Sequence, residues 1–297
     1  MKDLFFARQW DLTISEMKPV SQRVSVFIQS TRSVYIIKQK QSIEGILAET
    51  KLAEHLSGNL PVPLPIKTVH GDYFAEWKGE LYCLYPYLDG QTLSAQKSLQ
   101  SPGLFGQTFA KFHKKTRRFQ NGQSSDFYET VYGWAAKTIL AKDPSLSKAF
   151  FNLEPLLKKA SHLPKQLIHR DAHPSNFLFT DSELTGILDL ELAEENIRIF
   201  DLCYFCTSIL YGVYADESLR NEWLAFPGKL LHHYEQENPL QQSELEFIWV
   251  VLLGVQALFM ADFLSNDSLY ECNKDMFLWI LEHKEEILAG VREISRV

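Results

Sequence analysis

The sequence predicts an α+β fold in two lobes, strand-rich over residues 1–88 and mainly helical over 89–297. Three observations carry this. β-branched residues dominate Val20 to Lys40, and two more short strand-like runs end near Tyr85. Pro86, Asp89 and Gly90 then break the pattern. From Pro102 the periodicity is helical, interrupted only by short strand-like runs between Gln166 and Leu190. A chain of 297 residues also exceeds the usual size of one compact domain.

The elements follow in order. Val20 to Lys40 reads as a hairpin broken at Gln29 to Ser33. Ile43 to Leu56 sets Ile46, Leu47, Leu52 and Leu56 among Glu44, Glu49, Lys51 and Glu54, an amphipathic helix that Gly58 and Asn59 end. Tyr73 to Trp77 and Glu80 to Tyr85 are strands across a Lys78-Gly79 turn. Leu104, Phe105, Phe109 and Phe112 share one helix face, and Trp134 to Leu163 reads as helices broken at Asp143-Pro144. Gln166 to His169, Asn176 to Thr180 and Leu184 to Leu190 are three short strands with a turn at Asp181-Ser182, and the chain after Phe200 is helical.

Composition excludes several classes. A formal charge of −7 offers no basic face for a phosphate backbone, so nucleic acid is not an expected partner. The N-terminus reaches Arg8 and Asp11 before any long apolar core, which predicts no signal peptide and a cytoplasmic chain. Phe247 to Leu264 is the most apolar stretch, but Gln256 and Asp262 would be costly in lipid, so it reads as a buried helix rather than a membrane span. Cys83, Cys203, Cys206 and Cys272 are too scattered for a disulfide framework, and Cys203-x-x-Cys206 reads as helix packing.

The chemistry concentrates in His169-Arg170-Asp171-Ala-His-Pro-Ser-Asn176, followed by Asp189 at the end of an apolar run. Phosphoryl transfer asks for an oriented hydroxyl, a positioned triphosphate and divalent metal to neutralise the phosphoryl oxygens. Asp171 suits the role of base toward an acceptor hydroxyl, and Asn176 and Asp189 offer hard oxygen ligands to Mg²⁺. Taken singly, an Asp in a loop or an Asn before a strand is usually a turn residue. Their joint spacing is that of a kinase catalytic loop and the metal-binding strand after it.

Leu-Ile-His-Arg-Asp-Ala-His-Pro-Ser-Asn-Phe-Leu-Phe, then Gly-Ile-Leu-Asp-Leu-Glu, resembles the aminoglycoside phosphotransferase and choline kinase family over about Ser25 to Leu210. The resemblance implies a protein-kinase-like fold with a nucleotide-binding first lobe, ATP as phosphate donor with GTP left open, and Mg²⁺. It implies Asp171 as base and Asn176 and Asp189 as metal ligands, with Glu191 reaching a second metal ion. It also implies Lys38 on the α- and β-phosphates, paired with Glu49, and the Pro86 carbonyl and Leu88 amide on the adenine edge. Asp201 is expected to hold the catalytic loop through backbone hydrogen bonds, and His169 to support that loop. The chain departs from kinase patterns between Asp11 and Glu44, where it has no glycine, and Ser21, Gln22 and Arg23 stand where a phosphate loop should turn.

The acceptor implied is a small alcohol. Asp181, Glu183, Asp189, Glu191, Glu194, Glu195 and Asp201 against Arg198 alone favour a cationic one, with Tyr204, Phe205, Tyr211 and Tyr214 available for cation-π contact. Aminoglycoside, choline, homoserine and methylthioribose remain open. The alternative to an active kinase is a catalytically weak kinase-like binding or structural protein. A protein kinase is disfavoured, because Asp-Phe-Gly and Ala-Pro-Glu signatures are missing and eleven residues between Asp189 and Asp201 leave no room for an activation segment.

Overall fold

The computed structural model of the chain describes residues 2–21, 24–29 and 33–294. Gln22 and Arg23, expected at the phosphate-loop turn, lie outside them, as do residues 30–32 of the hairpin connection. The chain begins α1 (Lys2–Gln9), β1 (Ile14–Pro19), β2 (Val24–Gln29), β3 (Val34–Lys40), α2 (Ile43–Leu56), β4 (Ala75–Trp77) and β5 (Glu80–Pro86). It continues with α3 (Ala95–Leu99), α4 (Pro102–Thr116), a π-helical turn (Glu129–Ala136), α5 (Lys137–Lys142), α6 (Ser147–Ala160), β6 (Lys165–Ile168), β7 (Phe177–Thr180), β8 (Glu183–Ile187) and β9 (Glu194–Ile197). Six helices close it: α7 (Ile199–Val213), α8 (Glu217–Trp223), α9 (Phe226–Glu235), α10 (Gln242–Asp262), α11 (Asp267–Glu282) and α12 (Lys284–Ile294).

The chain divides into two compact units, Met1–Gln91 with Phe177–Glu191, and Thr92–Asn176 with Leu192–Val297. The first is built on an antiparallel sheet in the order β1-β2-β3-β5-β4. Alternation along β3 and β5 sends Ile37, Tyr82 and Leu84 to one face, where Phe6 and Trp10 cover them. Ile36, Cys83 and Tyr85 face the other way, against Ile46 of α2. Ser42 caps α2 by accepting from the Gly45 amide at 3.0 Å. The β7–β8 hairpin joins this unit through Gln91 and Phe179, which exchange both backbone hydrogen bonds, and through Ile187 N–H to Pro61 C=O at 2.8 Å. Gly90 makes that approach possible: φ is +139°, and a Cβ there would sit 2.3 Å from Thr185 Oγ1.

The second unit is helical apart from the β6–β9 pair. α10 is long and apolar enough to cross a membrane by length and composition, yet 83% of its most apolar stretch is buried by the protein, against α6, α7, α11 and α12. α4 approaches α9 closely because Gly106 carries no Cβ, which would meet the Leu230 carbonyl at 2.5 Å.

Arg198 is a buried cation at the entry to α7. Its Nε donates to Glu244 Oε1 at 2.6 Å and its Nη2 to Glu244 Oε2 at 2.5 Å and Pro239 O at 2.8 Å. Glu244 also closes the N-terminal capping box of α10. Glu244→Ala strands a guanidinium and opens the cap together, and should cost roughly 3–5 kcal/mol in urea unfolding. A loss below 1 kcal/mol would mean water already satisfies Arg198.

Candidate active site

In the first unit, Lys38 and Lys40 lie two residues apart on β3 and therefore on the same face. Lys40 is the buried one. Its Nζ lies 2.6 Å from Glu49 Oε2 and 3.0 Å from Glu191 Oε2, and Tyr85 Oη donates to Glu49 Oε2 at 3.3 Å. Burial pulls the Lys40 pKa down, but Glu49 and Glu191 outweigh it and leave the ammonium above its ordinary value. Lys38 stands nearer solvent, 3.3 Å from Asp189 Oδ1.

The expected Lys38–Glu49 pair is thus corrected: Lys40 is the partner of Glu49, and Lys38 pairs with Asp189. Helix α2 packs beside the end of β3, so its glutamate meets the later lysine. Both lysines fit the same alternation, and spacing alone does not separate them. Lys38, Glu49, Pro86, Leu88 and Asp189 do come together, lining one cavity of about 230 Å³ with Val24, Ile36 and Leu178 among its apolar walls. Asp189 has φ +61°, a left-handed backbone unusual for a residue with a Cβ. The β1–β2 turn uses the Val20 and Ser21 amides on Val24 O, at 2.9 and 3.1 Å.

In the second unit the loop from His169 to Asn176 is fixed from behind by Asp201. Its fully buried carboxylate accepts from the backbone N–H of His169 at 2.7 Å and of Arg170 at 2.9 Å, and lies 3.0 Å from His113 Nε2, whose Nδ1 is 3.0 Å from Tyr234 Oη. His169 meets this network through its amide, while its ring packs against Phe112. Arg170, at φ +73°, donates from Nε to Glu194 Oε1 at 2.7 Å and stacks 4.5 Å over Phe200.

These contacts present Asp171. Tyr204 Oη donates to its Oδ1 at 2.7 Å, Asn176 Nδ2 donates to its Oδ2 at 3.1 Å and to its carbonyl at 2.7 Å, and His173 Nε2 lies 3.4 Å from Oδ2. Burial alone would raise the carboxyl pKa, but hydrogen bonds from His173 and Tyr204 and the neighbouring histidine charges hold it far below the usual carboxylate range. Burial pushes the Tyr204 phenol up, so it stays a donor. Asp171 lines a cavity of about 350 Å³ with Trp134, Glu194, Tyr204, Phe259 and Asp262.

The expected acidic floor is more dispersed than its sequence window. Asp201 serves the loop backbone, Glu194 serves Arg170, and Asp181 and Glu183 are exposed at the β7–β8 turn. Phe205 is buried against Phe105 and Phe109. Sequence reasoning missed Lys40, Trp134 and Asp262, and gave Tyr204 only a cation-π role. The π-helical turn that displays Trp134 has no sequence signature, whereas Lys40 was visible as the second lysine of an alternating pair.

Against known proteins, residues 18–240 match the APH family, described as the phosphotransferase enzyme family, and the chain belongs to it. It is similar to the homoserine kinase of Zymomonas mobilis subsp. mobilis, 24% identical over 220 residues, covering 70% of this chain and 66% of that one. The homoserine kinase of Agrobacterium fabrum is 25% identical over 214 residues, 68% of this chain and 63% of its own length. The chain thus spans just under two thirds of the length of these relatives. Among solved structures, an amicoumacin kinase in complex with AMP-PNP, Ca²⁺ and Ami superposes with TM-score 0.72 at 18% identity, covering 97% of this chain and 92% of that one. An aminoglycoside phosphotransferase from Alicyclobacillus acidocaldarius gives 0.70 at 16%, covering 97% and 95%. The expected α+β, protein-kinase-like fold is the fold observed, with a strand-rich and a helical part.

Two measurements test the site geometry. Lys40→Met leaves Glu49 buried without its cation and should cost roughly 3–5 kcal/mol of stability, while Lys38→Met should cost under about 1 kcal/mol; equal losses in urea unfolding would refute the division. Tyr204→Phe removes a hydrogen bond to a charged group worth roughly 1.5–3 kcal/mol, so kcat should fall about tenfold to a hundredfold with the fold intact by circular dichroism.

Proposed function

We propose that the chain transfers the γ-phosphate of ATP, with Mg²⁺, to a hydroxyl of a small alcohol. The observation that carries this is the Asp171 carboxylate, kept ionised and aimed by Tyr204, Asn176 and His173 at the wall of a cavity. An acceptor hydroxyl in that cavity gives up its proton toward Asp171 as it attacks. Lys38 meets the phosphates, Pro86 and Leu88 offer backbone groups to the base, and Lys40 keeps Glu49 and Glu191 in place.

The donor set suits a hard cation. Among the described residues no group of three His, Cys, Asp or Glu stands ready to hold a metal. Mg²⁺ needs no such cage, since one or two carboxylates with phosphates and waters suffice. Asp189 and Glu191 each already face an ammonium, and the Asn176 amide nitrogen points at Asp171, which leaves its oxygen for a ligand. Bound Mg²⁺ would neutralise charge on the phosphoryl oxygens.

The relatives' names bring homoserine, aminoglycosides, amicoumacin and aminopropanol forward as acceptor candidates. Trp134 and Asp262 in the Asp171 cavity support an acceptor with an ammonium group. A second reading, a nucleotide-binding protein with little turnover, draws on the glycine-free β1–β2 turn, whose Val20 and Ser21 amides are spent on Val24 O.

A thermal-shift titration with Mg·ATP and a coupled assay over an alcohol panel separate the two. Active transfer predicts that Asp171→Asn lowers kcat roughly 10²–10⁴-fold while nucleotide stabilisation persists, and that Asp189→Asn loses that stabilisation. Nucleotide stabilisation with no turnover of any alcohol would select the second reading. No stabilisation at all would remove both.

A further inference from the structure

The helical unit holds a second cavity, of about 460 Å³, within the range of small-molecule sites. On α7 its wall is Tyr204, Thr207, Ser208 and Tyr211, a single helical stripe at i, i+3, i+4 and i+7. Leu93, Ala95, Pro174, Phe259, Phe263 and Leu269 supply most of the remainder. Tyr204 and Phe259 also line the Asp171 cavity, and His173, 3.4 Å from Asp171 Oδ2, lines this one. An alcohol held at Asp171 therefore has this chamber beside it.

Its chemistry is selective. No Asp, Glu, Lys or Arg lines it. Apart from the half-exposed Tyr211, the polar side chains that do are engaged within the protein: Tyr204 donates to Asp171, Thr207 and Ser208 donate to Tyr204 O, Ser175 meets His173 Nδ1, and Asn273 bonds Leu269 O and Gln256 Nε2. A polyhydroxylated or polycationic body would lose water there and gain few partners. A compact amino alcohol would leave the space to solvent. An apolar or aromatic body fills it.

From this we infer that the acceptor is an alcohol carrying a sizeable apolar or aromatic group, seated between α7 and the α10–α11 corner. The inference rests on the transfer reading for its orientation toward Asp171, but the binding preference can be measured separately. Two matched acceptors serve as probes, 1-amino-2-propanol and 2-amino-1-phenylethanol, which differ by methyl against phenyl on the carbinol carbon. Affinity is read by calorimetry without nucleotide, and kcat/KM by coupled assay with Mg·ATP. The phenyl compound should bind at least about tenfold tighter and turn over with at least about tenfold higher kcat/KM, as apolar pockets reward added hydrocarbon.

Leu269→Glu puts a charge in the wall and should bring the phenyl-to-methyl ratio near one. Tyr211→Ala, at a side chain 49% exposed, should lower the ratio and keeps the test alive if the first variant does not fold. Equal affinity for the two probes, no binding of either, or a ratio that both variants leave unchanged overturns the inference. Tight phenyl binding without transfer upholds the apolar preference of the chamber and overturns the acceptor role that rests on the kinase reading; transfer to the small alcohol without a phenyl preference upholds the kinase reading and overturns the inference.

Discussion

The second unit depends on the Asp201 carboxylate. A charge with no exposure to water survives only if its lone pairs are met, and here two consecutive backbone amides and a histidine meet them. Those amides belong to His169 and Arg170, so the stabilisation of a buried carboxylate and the path of the loop that carries Asp171 are one constraint. His113 ties the same carboxylate to Tyr234 on α9, and α4 can reach α9 because of Gly106. The precision at Asp171 is therefore inherited from helix packing well behind it.

The first unit solves an analogous problem with a cation. Lys40, at 2% side-chain exposure, balances Glu49 from α2 against Glu191 from the end of the returning hairpin segment. One ammonium thereby ties β3, α2 and the chain after β8 into one register. Lys38, two residues earlier on the same face, keeps enough exposure to meet a ligand in the cavity. Two lysines with the same geometry are divided into one that builds and one that is available, and depth of burial makes the division.

Much of this was legible in the chain. Helix α2 has the bounds its apolar spacing and Gly58 imply, and the Lys78-Gly79 turn between β4 and β5 is where two positive-φ residues fall. Asp171, Asn176 and Asp189 stand out because several unrelated residue types recur at fixed spacing. What stayed hidden depends on contacts distant in sequence. The partner of Glu49 is decided by where α2 lies along β3, and the hydrogen bond from Tyr204 to Asp171 spans 33 residues. β9 is too short to register as a strand without its partner β6, and α1 and β1 are too short for a clear period and are defined by the packing of Phe6, Trp10, Ile14 and Met17 on the sheet.

Backbone strain connects these observations. Arg170 and Asp189 both hold left-handed conformations that a side chain makes costly, by roughly 1–3 kcal/mol each. Such a residue persists only where its surroundings over-determine it. Arg170 is held at its amide by Asp201, at its guanidinium by Glu194 and across its plane by Phe200. Asp189 follows Ile187, whose amide is held by Pro61, and faces Lys38. Glycine would relieve the strain at either position but would surrender the side chain that each place requires. The chain thus holds Arg170 and Asp189 in strained backbone by surrounding them with contacts, while in the β1–β2 turn the Val20 and Ser21 amides both go to Val24 O.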